Sequence, residues 1–165
     1  TGCPTWLCRA HPQDELGGVA HLDQRTMILL DTNVLIYAFD SGSTLQAWAY
    51  NTLRTAVLDK GAAINTVVLA ELMVGDQRPD TVVNRLEALG LHLLDLPLAA
   101  APRCAAAFSQ YLENRRQQAD LPAAPKTPLP DFLIGAHAST LSLALATADT
   151  SRYQSYFPEL ELLTP

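Results

Sequence analysis

The sequence predicts an α/β protein, a parallel twisted sheet with helices on both faces. Short apolar runs of strand length recur along the chain, and stretches with apolar residues at helical spacing separate them. Size and composition agree: 165 residues, 48% hydrophobic and 17% charged, suffice for one domain with a real core.

The elements follow in order. Residues 1–26 show neither strand nor helix period and contain Cys3-Pro4, His11-Pro12 and Gly17-Gly18, so they read as a flexible extension ahead of a domain spanning 27–165. Met27 to Leu30 reads as a buried strand, and Val34 to Phe39 as a helix that Asp31, Thr32 or Asn33 can cap. Ser43 or Thr44 is expected to cap a second helix through about Leu58. Ala62 to Asn65 is a short strand, after which Thr66 caps a helix closed by Gly75. Pro79-Asp80 opens a helix carrying Val82, Val83, Leu86 and Leu89, with Gly90 as its stop. A strand over Leu91 to Leu94 precedes an Ala-rich helix from Leu98 to about Gln118 and a Pro-rich loop over 120–130. Asp131 starts a further helix, Leu143 to Thr147 is a strand, and Leu160 to Leu163 is an edge strand.

Apolar stretches fall well short of the roughly 20 residues that span a bilayer, and no basic-then-apolar leader is visible, so the expectation is a cytoplasmic protein away from membranes. Cys3, Cys8 and Cys104 form neither a disulfide framework nor a zinc spacing. No Walker loop and no G-x-G-x-x-G is present, which removes nucleotide-cofactor enzymes. The net charge of −6 sits awkwardly with a nucleic-acid binder. Over 27–165, however, there are 14 acids and 9 bases, so setting four site carboxylates aside leaves a net of about −1.

Those four are Asp31, Glu71, Asp131 and Asp149. In open α/β sheets, sites form beyond the carboxyl ends of the strands. Asp31 directly follows the first strand, Asp149 follows the Leu143–Thr147 strand, Glu71 lies in the helix after the second strand, and Asp131 opens a helix. Four carboxylates brought together need a counterion, and hard oxygen donors suit Mg²⁺ or Mn²⁺. One or two such ions activate water and stabilise a phosphodiester displacement. Each acid also has a plainer reading. Asp31 and Asp131 can be helix caps, Glu71 a solvated helix residue, and Asp149 part of a turn with Thr150 and Ser151. His137 and His92 read as packing histidines and Asp40 as an ordinary helix end. Arg78, Arg85, Arg115, Arg116 and Lys126 can meet phosphate or simply face solvent.

The segments LLDTNVLIYAFD, NTVVLAELMVG, LPDFLIGAHA and LATADTSRY resemble, in order and spacing, the four motifs of PIN-domain ribonucleases, and among them the VapC toxins of bacterial toxin–antitoxin pairs. The resemblance covers about residues 27 to 163. It implies a PIN-like three-layer sandwich, with acidic metal-site residues at Asp31, Glu71, Asp131 and Asp149. Asn33 matches the polar residue that supports the first Asp, and Thr147 a Ser/Thr that often precedes the fourth acid. Many relatives carry a basic residue where Ala148 stands, and an aromatic shortly after, supplied here by Tyr153 or Tyr156. The resemblance further implies a Mg²⁺-dependent endoribonuclease (Mn²⁺ as a substitute) that hydrolyses RNA phosphodiester bonds with a metal-activated water. Its substrate would be single-stranded or structured RNA, tRNA or rRNA among them. It would form a homodimer and meet a VapB-type antitoxin that blocks the site.

Two rivals stand beside this reading. One is a catalytically inactive PIN-like module that binds RNA or protein, against which all four acids are present. The other is an aspartyl-phosphate phosphotransferase of the haloacid-dehalogenase or receiver type. The first pattern wants an acid where Asn33 stands, and the second a Lys after Leu143–Thr147, where none follows.

Overall fold

Three fully apolar residues, Ile28–Leu30 (β1), occupy the middle of a five-stranded parallel sheet of order β3-β2-β1-β4-β5. The partners are Ala62–Asn65 (β2), Leu91–Leu94 (β3), Ala144–Ala146 (β4) and Leu162–Leu163 (β5). Leu29 registers with Ala63 on one side and Leu145 on the other. A strand buried on both faces must be apolar throughout, and Leu29 and Leu30 are fully buried. The computed structural model describes residues 27–117 and 125–165. The predicted flexible extension, and positions 120–124 of the Pro-rich loop, lie outside the described residues.

The helices are Thr32–Phe39 (α1), Gln46–Thr55 (α2), Thr66–Val74 (α3), Val82–Ala88 (α4), Ala100–Arg116 (α5), Pro130–Leu141 (α6) and Ser151–Tyr156 (α7). The chain moves outward through β1, β2 and β3, then returns through α5 and α6 to β4 on the opposite side of β1. Right-handed crossovers in two directions send the helices to opposite faces. Strand order therefore reverses at β1, and the crevice between the ends of β1 and β4 is the topological switch point. Among the described residues no helix is long and apolar enough to cross a membrane.

Several local expectations shift. α1 starts at Thr32 because Asp31 is its cap, with extended φ and ψ and its side chain accepting from the Thr32 amide. Asn65, the last residue of β2, caps α3 in place of Thr66; its Oδ1 accepts from the Val67 and Val68 amides at 3.0 Å. α2 begins after Ser43 and Thr44, at Gln46, and runs into one π turn over Ala56–Lys60. Gly61 ends that turn at φ +102°, a conformation side chains resist. Pro79–Thr81 is a 3₁₀ turn ahead of α4. α5 starts at Ala100, leaving Leu98 exposed. α7 is a helix without a sequence signature: SRYQSY carries no apolar period.

The core beneath the site is aromatic. Phe132 of α6 lies 5.4 Å from Phe108, 5.3 Å from Tyr111 and 5.5 Å from Tyr156, centroid to centroid. Phe157, just after α7, rests against Gly135 of α6, where an added Cβ would lie 2.6 Å from its ring. His137 is a packing histidine, fully buried, with both ring nitrogens lacking a partner among the described residues. Burial lowers its basicity, so it stays neutral. His92 departs from the same expectation. It is the second residue of β3 and is exposed, because β3 is only half covered.

Candidate active site

Asp31 leaves the end of β1 and is 5% exposed. A buried carboxylate is costly unless hydrogen bonds surround it. Here the Thr32 amide donates to Oδ1 at 2.7 Å. Oδ2 receives the Thr147 hydroxyl at 2.7 Å, the Asn33 amide at 2.8 Å and the Tyr153 hydroxyl at 3.3 Å. Asn33 is itself fixed, since its Oδ1 accepts from the Ala148 amide at 3.0 Å. Asp31 is thus a helix cap and the centre of a polar network at once. The network ties β1 to the end of β4.

Burial still raises the proton affinity of Asp31. The Thr147 hydrogen bond opposes that rise, and the charge of Asp131 adds to it. Burial and the charge of Asp31 likewise push the Tyr153 phenol upward, so it acts as a neutral donor.

The other acids stand around this centre. Glu71 of α3 is half-buried, and the Thr32 hydroxyl donates to its Oε2. Asp131 is the second residue of α6 and caps nothing: Leu129 is the cap position, without a side-chain bond, and Pro130 fills the first turn, where a missing N–H costs little. Its Oδ2 instead pairs with the Arg152 guanidinium from α7. Asp149 is exposed and in a turn; its Oδ1 accepts from the Ser151 amide at 3.2 Å and hydroxyl at 2.9 Å. Thr147 links it to the centre, its Oγ1 receiving the Asp149 amide at 3.1 Å.

The donor set suits a hard divalent cation: all oxygen, with Asp31 and Asp131 near enough to feel each other's charge. Asp131 Oδ1, Glu71 Oε1 and Asp149 Oδ2 accept no hydrogen bond from a described residue. A cation is also already drawn in, the Arg152 guanidinium. Among the described residues, however, no three carboxylates close around one point.

Residue reading alone missed Arg152 and Thr32. Thr32 had a signal, its place directly after Asp31; Arg152 had none, because α7 was unread. The aromatic that meets the site is Tyr153. Tyr156 belongs to the aromatic core, 5.7 Å from Tyr111. Asp40 is the ordinary helix end expected, closing α1 and accepting from the Gly42 amide. Arg85 pairs with Asp76, and Arg116 with Glu113.

Known proteins share this arrangement of strands and helices. The chain is 22% identical to a Rickettsia felis VapBC2 chain, solved bound to a DNA fragment from their promoter, with a TM-score of 0.55 over 84% of this chain and 98% of that one. It is 23% identical to a chain of FitAcB from Neisseria gonorrhoeae, TM-score 0.58, covering 83% and 96%. It is 27% identical to a chain of a Klebsiella pneumoniae toxin–antitoxin complex, TM-score 0.54, covering 76% and 89%. No curated protein matches the chain. The PIN domain family description matches residues 28–156, from the first strand through α7, and the chain therefore belongs to the PIN domain family.

Proposed function

We propose that the protein is a divalent-metal-dependent endoribonuclease, the toxin of a toxin–antitoxin pair. The observation that carries this reading is Asp31, a buried carboxylate at the switch point, with Glu71, Asp131 and Asp149 around it. Asp31, Asp131, Glu71 and Asp149 would hold Mg²⁺ or Mn²⁺. Bound there, the cation supplies an activated water and positive charge for the oxygens of the scissile phosphate. Asn33, Thr147 and Tyr153 fix the Asp31 carboxylate through Oδ2, and Thr32 aligns Glu71 with it. Without a cation this acidic mouth repels RNA phosphates; with one the local sign reverses.

The reading includes a homodimer and a VapB-type antitoxin. The latter is supported by the neighbours, a VapBC2 chain and a chain of a structure described as a toxin–antitoxin complex. A cavity of about 390 Å³ between α1, α3 and α4 is open to an apolar segment of such a partner. Ile36 and Phe39 on its wall are 52% and 60% exposed.

The test is cleavage of total cellular RNA by purified protein, with Mg²⁺ or Mn²⁺ against EDTA, beside Asp31→Asn. Discrete metal-dependent fragments, lost in the variant, are expected. Metal-independent cleavage, or cleavage retained by the variant, would sink the assignment. The Asp131–Arg152 pair favours a second reading, a non-catalytic module that binds RNA or protein. Saturable RNA binding without turnover at any metal concentration would select it.

A further inference from the structure

We propose that Arg152 is the built-in counterion of the carboxylate site: in the metal-free protein its guanidinium stands at Asp131 where a divalent cation would stand, and cation binding displaces it. This rests on the metal part of the proposed function.

Three observations carry the inference. The first is placement. Arg152 lies three residues after Asp149, on the same short helix as Tyr153, whose hydroxyl reaches Asp31. Tyr153 is 1% exposed and anchors α7 at the site, while the neighbouring Arg152 side chain is 40% exposed. The second is the weakness of the hold. Arg103 shows what a clamped arginine looks like here. It bonds both oxygens of Glu159 and the Tyr156 carbonyl, and it stacks 4.4 Å over the Phe157 ring. Arg152 has one hydrogen-bond partner among the described residues, the Asp131 Oδ2, and its side chain is 40% exposed. The third is charge. Asp131 and Asp149 both act on Arg152, so the single guanidinium answers more than one carboxylate. A divalent ion carries twice that charge and accepts several oxygens at once, so it competes for the same group. Release of Arg152 leaves the Asp131 carboxylate open to the cation.

The experiment uses the full chain. Mn²⁺ is titrated calorimetrically into wild type, Arg152→Ala, Arg152→Gln and Asp31→Asn. The arginine side-chain NMR signals of wild type are followed under Mg²⁺, with the Arg152 signal assigned by its loss in Arg152→Gln. The expected result is Mn²⁺ binding roughly fivefold tighter in both Arg152 variants, the factor a half-exposed ion pair can withhold. The Arg152 guanidinium signal should also pass from restrained to freely rotating as Mg²⁺ saturates the protein. Equal Mn²⁺ affinity in wild type and both variants overturns the inference and leaves the metal reading standing. Tighter binding with an unmoved Arg152 signal also overturns it, because the arginine then acts through charge without leaving. No Mn²⁺ binding in wild type or either Arg152 variant overturns the metal reading, and the inference with it. Binding unchanged in Asp31→Asn does the same, by showing the ion lies elsewhere.

Discussion

Asp31 and Asp131 lie close enough to feel each other's charge, yet they are supported in opposite ways. Asp31 is buried and takes four neutral donors, two from α1, one from α7 and one from the end of β4. Asp131 is partly open to water and takes one cation. Neutral donors fix a carboxylate without cancelling its charge, whereas a guanidinium partner offsets the charge as well. The buried carboxylate is held by its geometry, and the open one by an opposite charge.

Four changes break or sharpen this contrast. Asp31→Asn is expected to have the largest effect, reducing metal-dependent RNA cleavage by more than about a hundredfold, beyond the upper end for outer partners of a metal ligand. The fold should survive. The Asp31 carboxyl binds its proton more tightly folded than unfolded. Its stabilising contribution is therefore present at low pH and lost as pH rises from the ordinary value of 3.8 through the raised folded value. The neutral variant should lack that loss, which thermal melts across the acid range can read. Thr147→Val comes next. It leaves Asp31 buried with one donor fewer, so Mn²⁺ affinity should fall about 10- to 100-fold by calorimetry. Denaturant unfolding should show a loss of about 1.5–3 kcal/mol.

His137→Leu probes the α6 side, which also carries Asp131. Burial lowers the affinity of His137 for a proton, so the unfolded chain takes up the proton first. Stability is full above the ordinary value of 6.5 and is lost as pH falls below it. Removing the partnerless imidazole should flatten that decline and stabilise the protein by about 1 kcal/mol at neutral pH. A decline that persists in the variant assigns it to another group. Glu113→Gln should matter least, changing stability by less than about 0.5 kcal/mol, because its pair with Arg116 is solvent-exposed. A larger effect would show that exposed pairs here do more than the contrast allows.

The strands were legible because their signals are local. β1 is a wholly apolar triplet ending on Asp31, and Asn65 ends β2 in the same manner. α7 was not legible. Its helix is anchored by Tyr153 and followed by Phe157, both buried by contacts with distant elements. Arg152 was hidden for that reason, since its partner lies 21 positions away. Asn65 and Thr66 are both good caps, and only the way β2 delivers the chain into α3 decides between them. The exposure of His92 likewise depends on how far the sheet is covered at β3, which a four-residue strand does not record.

Gly135 sits mid-helix, where alanine would favour α6 by up to about 1 kcal/mol. A methyl group there would meet the Phe157 ring at 2.6 Å. α6 carries Asp131 and Phe157 directly follows the helix of Arg152, so this contact packs the two partners' helices close together. A clearance one carbon atom wide, on the side of the helix away from solvent, thus lets the helices that carry the two partners pack this closely.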